Sequence, residues 1–212
     1  MKPLSLDNVV ATTEGDFDRL EPGAYACIVQ DVHDEPSKEY FSIVLGIAEG
    51  PRKGFFDDAF YYDKPWAHSL IMSYKDSALG MLKGRCEVIS SWNPGFDAVA
   101  AVQAGSIQML VGRKVGVVFG QEERYDRKAG RFTCEGSARP QRLITREDMK
   151  AGKGDDPRPR MMSEERRRRA LEAAGVTGYD VERILAQARG ESSGASQQAA
   201  AQPAAIDDGI PF

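Results

Sequence analysis

The chain has 212 residues, of which 42% are hydrophobic and 28% are charged, and its formal net charge is −4 at pH 7. This composition is typical of a globular domain with polar appendages. No apolar run approaches the roughly 18 residues of a membrane-spanning helix, and the start, MKPLSLDNVVATTEGDF, lacks the features of a signal peptide. The cysteines Cys27, Cys86 and Cys134 lie far apart without a CxxC pair, which indicates a reducing compartment and argues against disulfides or a zinc site.

The first part of the chain, from about residue 17 to 62, predicts three strands. Residues 23–32 follow a Pro-Gly turn signal and are rich in β-formers, and residues 40–50 form a second such run. Residues 53–63, KGFFDDAFYYD, predict a third strand that is dense in aromatic side chains.

The spacing of the apolar residues then changes to that of a helix and, after residue 112, returns to that of strands. Leu79, Leu82, Cys86 and Ile89 recur at three- and four-residue spacing, which predicts a helix that ends at the Asn-Pro-Gly of 93–95. Another short helix is predicted before residue 112. Residues 113–126 and 131–145 then predict a long antiparallel hairpin around the turn RKAG.

Five strands with one helical insertion between the third and the fourth are the element order of an OB-fold, a five-stranded Greek-key barrel that binds oligonucleotides. We therefore predict a mainly β protein. Its parts are an OB-fold domain over 1–150 with the insertion at about 64–111, a linker over 151–162, a helical segment over 163–190, a disordered linker over 191–205 and an acidic tip over 206–212. Ser163 and Thr177 are the predicted caps of the two helices in the helical segment.

The charge is divided unevenly between these parts. Residues 1–111 hold 9 Lys+Arg against 16 Asp+Glu, a net −7, whereas residues 112–189 hold 19 against 13, a net +6; the remainder carries −3. A polyanion-binding protein with a competing acidic tail would show this segregation, and so would a simple solvated basic face.

The chain ends in the sequence DDGIPF. This stretch resembles the C-terminus of bacterial single-stranded DNA-binding proteins, which end in an acidic run followed by Ile-Pro-Phe. The resemblance covers Asp207, Asp208, Ile210, Pro211 and Phe212, and residues 110–132 resemble the final hairpin of phage-type members. It implies a phage-encoded relative in the bacterial cytoplasm or nucleoid, which binds and protects single-stranded DNA in replication, recombination and repair.

By the same resemblance, the tip recruits a helicase, primase, polymerase or recombination factor. Its chemistry suits this role, because carboxylates pair with Lys and Arg of a partner while the Ile and Phe side chains fill a pocket. Pro211 restricts the backbone and lowers the ordering cost of binding.

Single-stranded DNA requires cations along the phosphates and flat rings on which bases stack. The candidate cations are Lys53, Arg113, Lys114, Arg124, Arg127, Lys128, Arg131, Arg139 and Arg142. The candidate stacking rings are Phe55, Tyr61, Trp66, Tyr125 and Phe132. Because side chains of a strand alternate between its faces, about half of the rings between residues 55 and 62 should point inward. Tyr125, next to a turn rich in Arg and Lys, is expected to be exposed.

Two alternatives use other residues. The helices of 163–190, with the run Arg166–Arg169, could contact phosphates or dock a protein, which would make the chain a recombination or replication mediator. Asp57, Asp58, Asp63 and Asp76 could hold a metal ion in a nuclease. The chain has no Walker loop, GxSxG or HExxH motif, so we expect no enzymatic activity, cofactor or metal. Whether the chain forms a homo-oligomer is left open.

Overall fold

The computed structural model describes residues 18–190 of the chain. In this range the strands are β1 (Gly23–Glu35), β2 (Tyr40–Ile47), β3 (Ser69–Ser73), β4 (Lys114–Gly120), β5 (Arg124–Asp126), β6 (Arg131–Thr133) and β7 (Arg139–Ile144). The α-helices are α1 (Leu79–Trp92), α2 (Ala98–Gln103), α3 (Arg146–Lys150), α4 (Glu164–Ala173) and α5 (Tyr179–Ala188). The described residues form two compact units: unit 1 holds 18–122 and 135–160, and unit 2 holds 123–134 and 161–190.

Unit 1 is built on a five-stranded antiparallel sheet in the order β3-β2-β1-β4-β7. The central strand β1 pairs with β2 and with β4. The antiparallel pairings make β3 and β7 run in the same direction, and these two strands approach each other so that the sheet nearly closes into a barrel. Since α1 lies between the third and the fourth barrel strands, the fold is OB-like. The predicted fold class, a mainly β protein with a helical insertion, is confirmed.

The barrel core follows from the alternation of side chains along the strands. On β2, Phe41, Ile43 and Leu45 are almost completely buried, and β4 adds Val117 and Phe119. Burial of each of these side chains is worth about 1.5–3 kcal/mol. The apolar interior is therefore the main source of stability for the barrel.

Helix α1 covers the barrel as its spacing predicts. Leu82, Cys86 and Ile89 are buried in the same core as the strands, whereas Leu79, the first residue of the predicted stripe, is exposed. The helix ends at the predicted stop, where the Asn93 side chain donates to the Lys114 carbonyl at 2.8 Å and accepts from the Lys114 backbone N–H at 3.1 Å. Asn93 thereby joins the end of α1 to the beginning of β4.

The prediction of a third strand over 53–63 is wrong. Residues 55–57 and 59–61 form short 3-10 turns, and the third strand is β3. Gly54 adopts a left-handed backbone with φ of 75°, and the Asp58 side chain accepts from the Phe60 N–H at 2.8 Å. Such turn-forming contacts outweigh the β-propensity of the aromatic residues.

The predicted long hairpin is present, but its pairing is interrupted. Strand β4 pairs with β7 in unit 1, and β5 pairs with β6 in unit 2. Between these pairings the Gln121 carbonyl accepts from the Arg160 N–H at 2.9 Å and from the Gln141 side chain at 3.0 Å. The hairpin tip, residues 123–134, therefore belongs to unit 2, although the sequence places it in the barrel domain.

Unit 2 consists of the β5–β6 hairpin and helices α4 and α5. Leu171, Ile184 and Leu185 form its buried core. Ser163 caps α4 as predicted, by accepting from the Arg166 N–H, but the residue that precedes α5 is Gly178 instead of Thr177. Gly178 has φ of 65°, a left-handed conformation that glycine adopts without strain.

Candidate nucleic-acid interface

The connection between β2 and β3, residues 48–68, is anchored to the barrel by an aromatic cluster. The Phe56 ring stacks on His68 with centroids 4.5 Å apart and lies 5.8 Å from Phe119. Phe55 and Tyr61 pack beside it and are half-buried. Of the predicted stacking residues, these two therefore serve mainly to fix the connection.

Other rings of this connection face the solvent. Phe60, Tyr62 and Trp66 are 46%, 78% and 58% exposed. The Lys64 ammonium lies 3.6 Å from the centre of the Phe60 ring, and the Arg139 guanidinium lies 4.7 Å from the centre of the Trp66 ring. These five residues constitute what we call the ring-and-cation surface of unit 1. The sequence predicts Trp66 and Arg139 as site residues. Phe60 and Tyr62 belong to the aromatic run of which half was expected to face outward, and Lys64 was missed.

Three of the four remaining predicted cations of unit 1 have other contacts. Arg113 lies 3.9 Å from the centre of the Phe96 ring, and Arg142 donates to the Lys153 carbonyl at 2.9 Å. Lys114 donates to Glu49 at 2.7 Å, and this hydrogen bond lowers the pKa of the Glu49 carboxyl. Lys53 is exposed in the β2–β3 connection. Of the predicted cations in this unit, Arg139 is thus the one that the structure brings against an exposed tryptophan.

The β5–β6 hairpin of unit 2 has one polar and one aromatic face. Tyr125 pairs with Phe132 across the strands, and both rings pack on the unit core with centroids 5.4 Å apart. The prediction that Tyr125 is exposed is therefore wrong: it is half-buried, as is Phe132, because both face the helices.

The opposite face of this hairpin and its turn carry the predicted cations. All four are exposed, and Arg127 in addition donates to the Ala173 carbonyl at the end of α4 at 2.7 Å, which leaves Arg124, Lys128 and Arg131. Asp126 accepts from two backbone N–H groups of the turn, which lowers the pKa of its carboxyl. We call Arg124, Lys128 and Arg131 the hairpin cations.

The run of four arginines is distributed around α4. Arg167 is buried in a two-bonded ion pair with Glu123, with N–O distances of 2.8 and 2.9 Å. Arg168 pairs with Glu182 and Glu164, and Arg169 pairs with Glu165. The run therefore offers no continuous cationic surface, as the helical geometry implies.

The predicted acidic residues do not form a metal site within residues 18–190, where no three His, Cys, Asp or Glu side chains lie close enough to hold an ion. Asp57 accepts from Gln30 at 3.0 Å, Asp58 caps a turn, and Asp63 lies 3.6 Å from Lys64. Over the same residues, no helix has the length and apolar character to cross a membrane.

A cleft of about 420 Å³ lies between the outer surface of strands β1 and β2 and the β2–β3 connection. Its lining includes Gln30, Asp31, Phe56, Asp57, Tyr62 and His68. The His68 ring is buried, which lowers its pKa, and its Nδ1 lies 2.6 Å from the Leu45 carbonyl. The sequence missed this cleft, because the isolated residues Gln30, Asp31 and His68 form no recognisable motif.

The predicted tip, Asp207, Asp208, Ile210, Pro211 and Phe212, lies outside the described residues, as does the linker before it. No model of a known protein family matches the chain, and no curated protein matches it. The assignment of a function therefore depends on the OB-like fold and on the residues at its surface.

Proposed function

We propose that this protein is a non-enzymatic single-stranded DNA-binding protein that uses the ring-and-cation surface of its barrel. The observation that carries the proposal is the pair of Trp66 and Arg139, an exposed ring with a guanidinium 4.7 Å from its centre. OB-folds bind oligonucleotides on the face of strands 2 and 3 and with the loops between strands 1 and 2 and between strands 4 and 5. An exposed ring in the connection between those strands offers a base a stacking partner worth about 1–3 kcal/mol.

Unit 2 supports the same proposal through its charge. Its described residues hold 10 Lys+Arg against 7 Asp+Glu, a net charge of +3, and the hairpin cations are exposed. Cations of this kind neutralise phosphates and release counterions, which favours binding without regard to sequence. We assign the hairpin cations to phosphate contact.

The biological role that we propose is to coat and protect single strands during replication, recombination and repair in a phage-infected bacterial cell. The resemblance of DDGIPF to the C-terminus of bacterial single-stranded DNA-binding proteins supports this role. It also supports recruitment of a replication or recombination protein by the tip.

Fluorescence anisotropy with a labelled thymidine oligomer of about 20 nucleotides, longer than the 4–16 nucleotides that one OB-fold covers, tests the proposal. We expect binding that weakens steeply as salt is raised, and an intact oligomer after incubation with Mg²⁺. Cleavage of the oligomer would instead indicate a nuclease. Failure to bind even in low salt would contradict the proposal and favour a mediator that acts through protein contacts.

Replacing the three hairpin cations Arg124, Lys128 and Arg131 by alanine should flatten the salt dependence of binding. Each lost phosphate contact lowers the slope of log K against log salt by about 0.7 for a single strand, so the slope should fall by about 2. The matched control replaces Lys38, Lys75 and Lys83, three exposed lysines of unit 1. An equal loss of slope in both variants would show that the salt dependence follows the net charge of the protein and not the position of the hairpin cations.

Deleting Asp207–Phe212 should abolish capture of replication or recombination proteins while DNA affinity stays unchanged or rises, because an acidic segment competes weakly with phosphates. The measurement is a pulldown from a phage-infected lysate, paired with anisotropy on the same preparation. The control deletes an equal length of the preceding linker. Undiminished capture by the tip deletion would contradict a recruiting role.

A further inference from the structure

The cleft beside the ring-and-cation surface has the size and chemistry of a ligand site. It is about 420 Å³ in volume, and the stacked Phe56 and His68 rings contribute to one side of it. Tyr62 lines it as well and is 78% exposed, so this ring belongs both to the cleft and to the ring-and-cation surface. A strand of DNA that stacks on Trp66 would thus pass close to the cleft.

The polar groups in the cleft are mainly hydrogen-bond acceptors. Asp31 and Asp57 line the cleft, and the Asp31 carboxylate accepts from the Val32 N–H at 2.7 Å and lies 3.4 Å from the His33 ring. The Gln30 amide uses one of its two N–H groups to donate to Asp57 at 3.0 Å. The Gln30 side chain also lies directly over Gly46, where an added Cβ would be 2.4 Å from its amide nitrogen. Glycine at this position therefore allows Gln30 to lie across β2 and reach Asp57.

His68 adds a further acceptor. Its Nδ1 faces a carbonyl oxygen, which can only accept, so Nδ1 carries the proton. In the neutral ring, Nε2 is then an acceptor. His68 is among the residues that line the cleft.

We infer that the cleft takes one nucleobase with an amino group on its hydrogen-bonding edge, and that it disfavours thymine. Cytosine offers its N4 amino group to a carboxylate, and adenine and guanine have amino groups of the same kind. At the position of the cytosine amino group thymine has the carbonyl oxygen O4, which would face a carboxylate instead of donating to it. The inference rests on the proposed function, to which it adds a base preference.

Two other occupants are less compatible with the lining. A phosphate would be repelled by the two carboxylates. A lysine or arginine of a partner protein would satisfy them. The cleft shares the exposed ring of Tyr62 with the ring-and-cation surface, however, which suits a nucleic-acid strand better than a basic peptide. The base edge enters the cleft while the phosphates stay with the cations outside it.

Cytidine and thymidine oligomers of equal length test the inference, because the two pyrimidines have the same ring size. We expect the protein to bind the cytidine oligomer at least about 5-fold more tightly, the lower end of the discrimination by a good base contact. A deoxyuridine oligomer should behave like the thymidine one, which separates the base edge from the thymine methyl group. Asp57→Asn should reduce the preference to less than about 2-fold, because an amide also donates to thymine O4.

Asp63→Asn is the matched control, since it removes the same charge from the same connection but does not line the cleft. It should alter the affinity for all oligomers alike. Asp31→Asn is the second cleft variant, in case Asp57→Asn lowers the melting temperature. Equal affinity of the unaltered protein for all oligomers would overturn the inference and leave the proposed function intact. A preference for cytidine that persists in both cleft variants would have the same consequence. Binding of a lysine-rich peptide that Asp57→Asn abolishes would also overturn it, and binding of no oligomer would overturn the proposed function itself.

Discussion

Replacing Arg167 by alanine is expected to destabilise unit 2 by about 3–5 kcal/mol, because it leaves a buried carboxylate without its partner. The Glu123 side chain is 4% exposed and that of Arg167 is 11% exposed. Glu123 also accepts from the Met162 N–H at 2.9 Å, so the ion pair joins the hairpin to the segment before α4. Unit 2 has only a small buried core among its described residues, so a loss of this size should unfold much of it.

Amide hydrogen exchange measured by mass spectrometry resolves this effect, because it reports on α4 and α5 separately from the barrel. We expect fast exchange in both helices of the variant and unchanged exchange in β1, β2 and β4. Tryptophan fluorescence would not suffice, since both tryptophans of the chain, Trp66 and Trp92, are in unit 1.

Two controls separate the ion pair from a general loss of positive charge. Arg166→Ala removes an exposed neighbour on the same helix and should change the stability by less than about 0.5 kcal/mol. The double variant Glu123→Leu/Arg167→Met replaces the pair with apolar side chains and should be more stable than Arg167→Ala. If Arg167→Ala exchanged no faster than Arg166→Ala, the buried pair would not hold unit 2 together.

Replacing Trp66 by alanine should weaken binding of single-stranded DNA by about 1–3 kcal/mol, which is roughly 5- to 150-fold in Kd. The ring is 58% exposed, so its loss removes a stacking surface with little effect on the core. Arg139 would also lose the ring that its guanidinium lies against. Anisotropy titrations at one fixed salt concentration, with melting temperatures of the same samples, measure both effects.

The controls for Trp66→Ala address aromaticity and exposure. Trp66→Phe keeps a flat ring and should retain most of the affinity. Tyr179→Ala removes a ring that is 83% exposed in unit 2 and should leave the affinity within about 2-fold, because no stacking role is assigned to it. An unchanged Kd in Trp66→Ala would show that single-stranded DNA does not bind at the ring-and-cation surface.

The parts of the fold that could be predicted are those with a strong local pattern. The spacing of Leu79, Leu82, Cys86 and Ile89 predicts α1, and the last three are buried, whereas Leu79 at the start of the helix is exposed. Strand β3 could not be predicted in the same way, because five residues with Leu70 and Met72 as their buried side chains give a weak signal. The denser aromatic run before it has a higher β-propensity but is held in turns.

The sequence predicts which types of residue form the candidate site, but it does not predict how their side chains are arranged in space. Trp66 and Arg139 were both expected to bind DNA, but their approach depends on the closure of the barrel, which no local pattern reports. Tyr125 was misassigned because its neighbours in the turn are charged, whereas its side chain faces helices about 50 residues further along the chain. Which arginine of the run is buried depends likewise on the distant Glu123.

The most direct test of the central claim is the fluorescence of Trp66 during titration with a single-stranded oligomer. Trp92 is 8% exposed and donates to the Ile144 carbonyl at 2.8 Å, so Trp66 is the tryptophan that a bound base can reach. We predict saturable quenching in low salt that is reversed by added salt and is absent in Trp66→Phe. Tight binding of the oligomer with no change in the Trp66 signal would contradict the account, since DNA would then lie elsewhere on the protein.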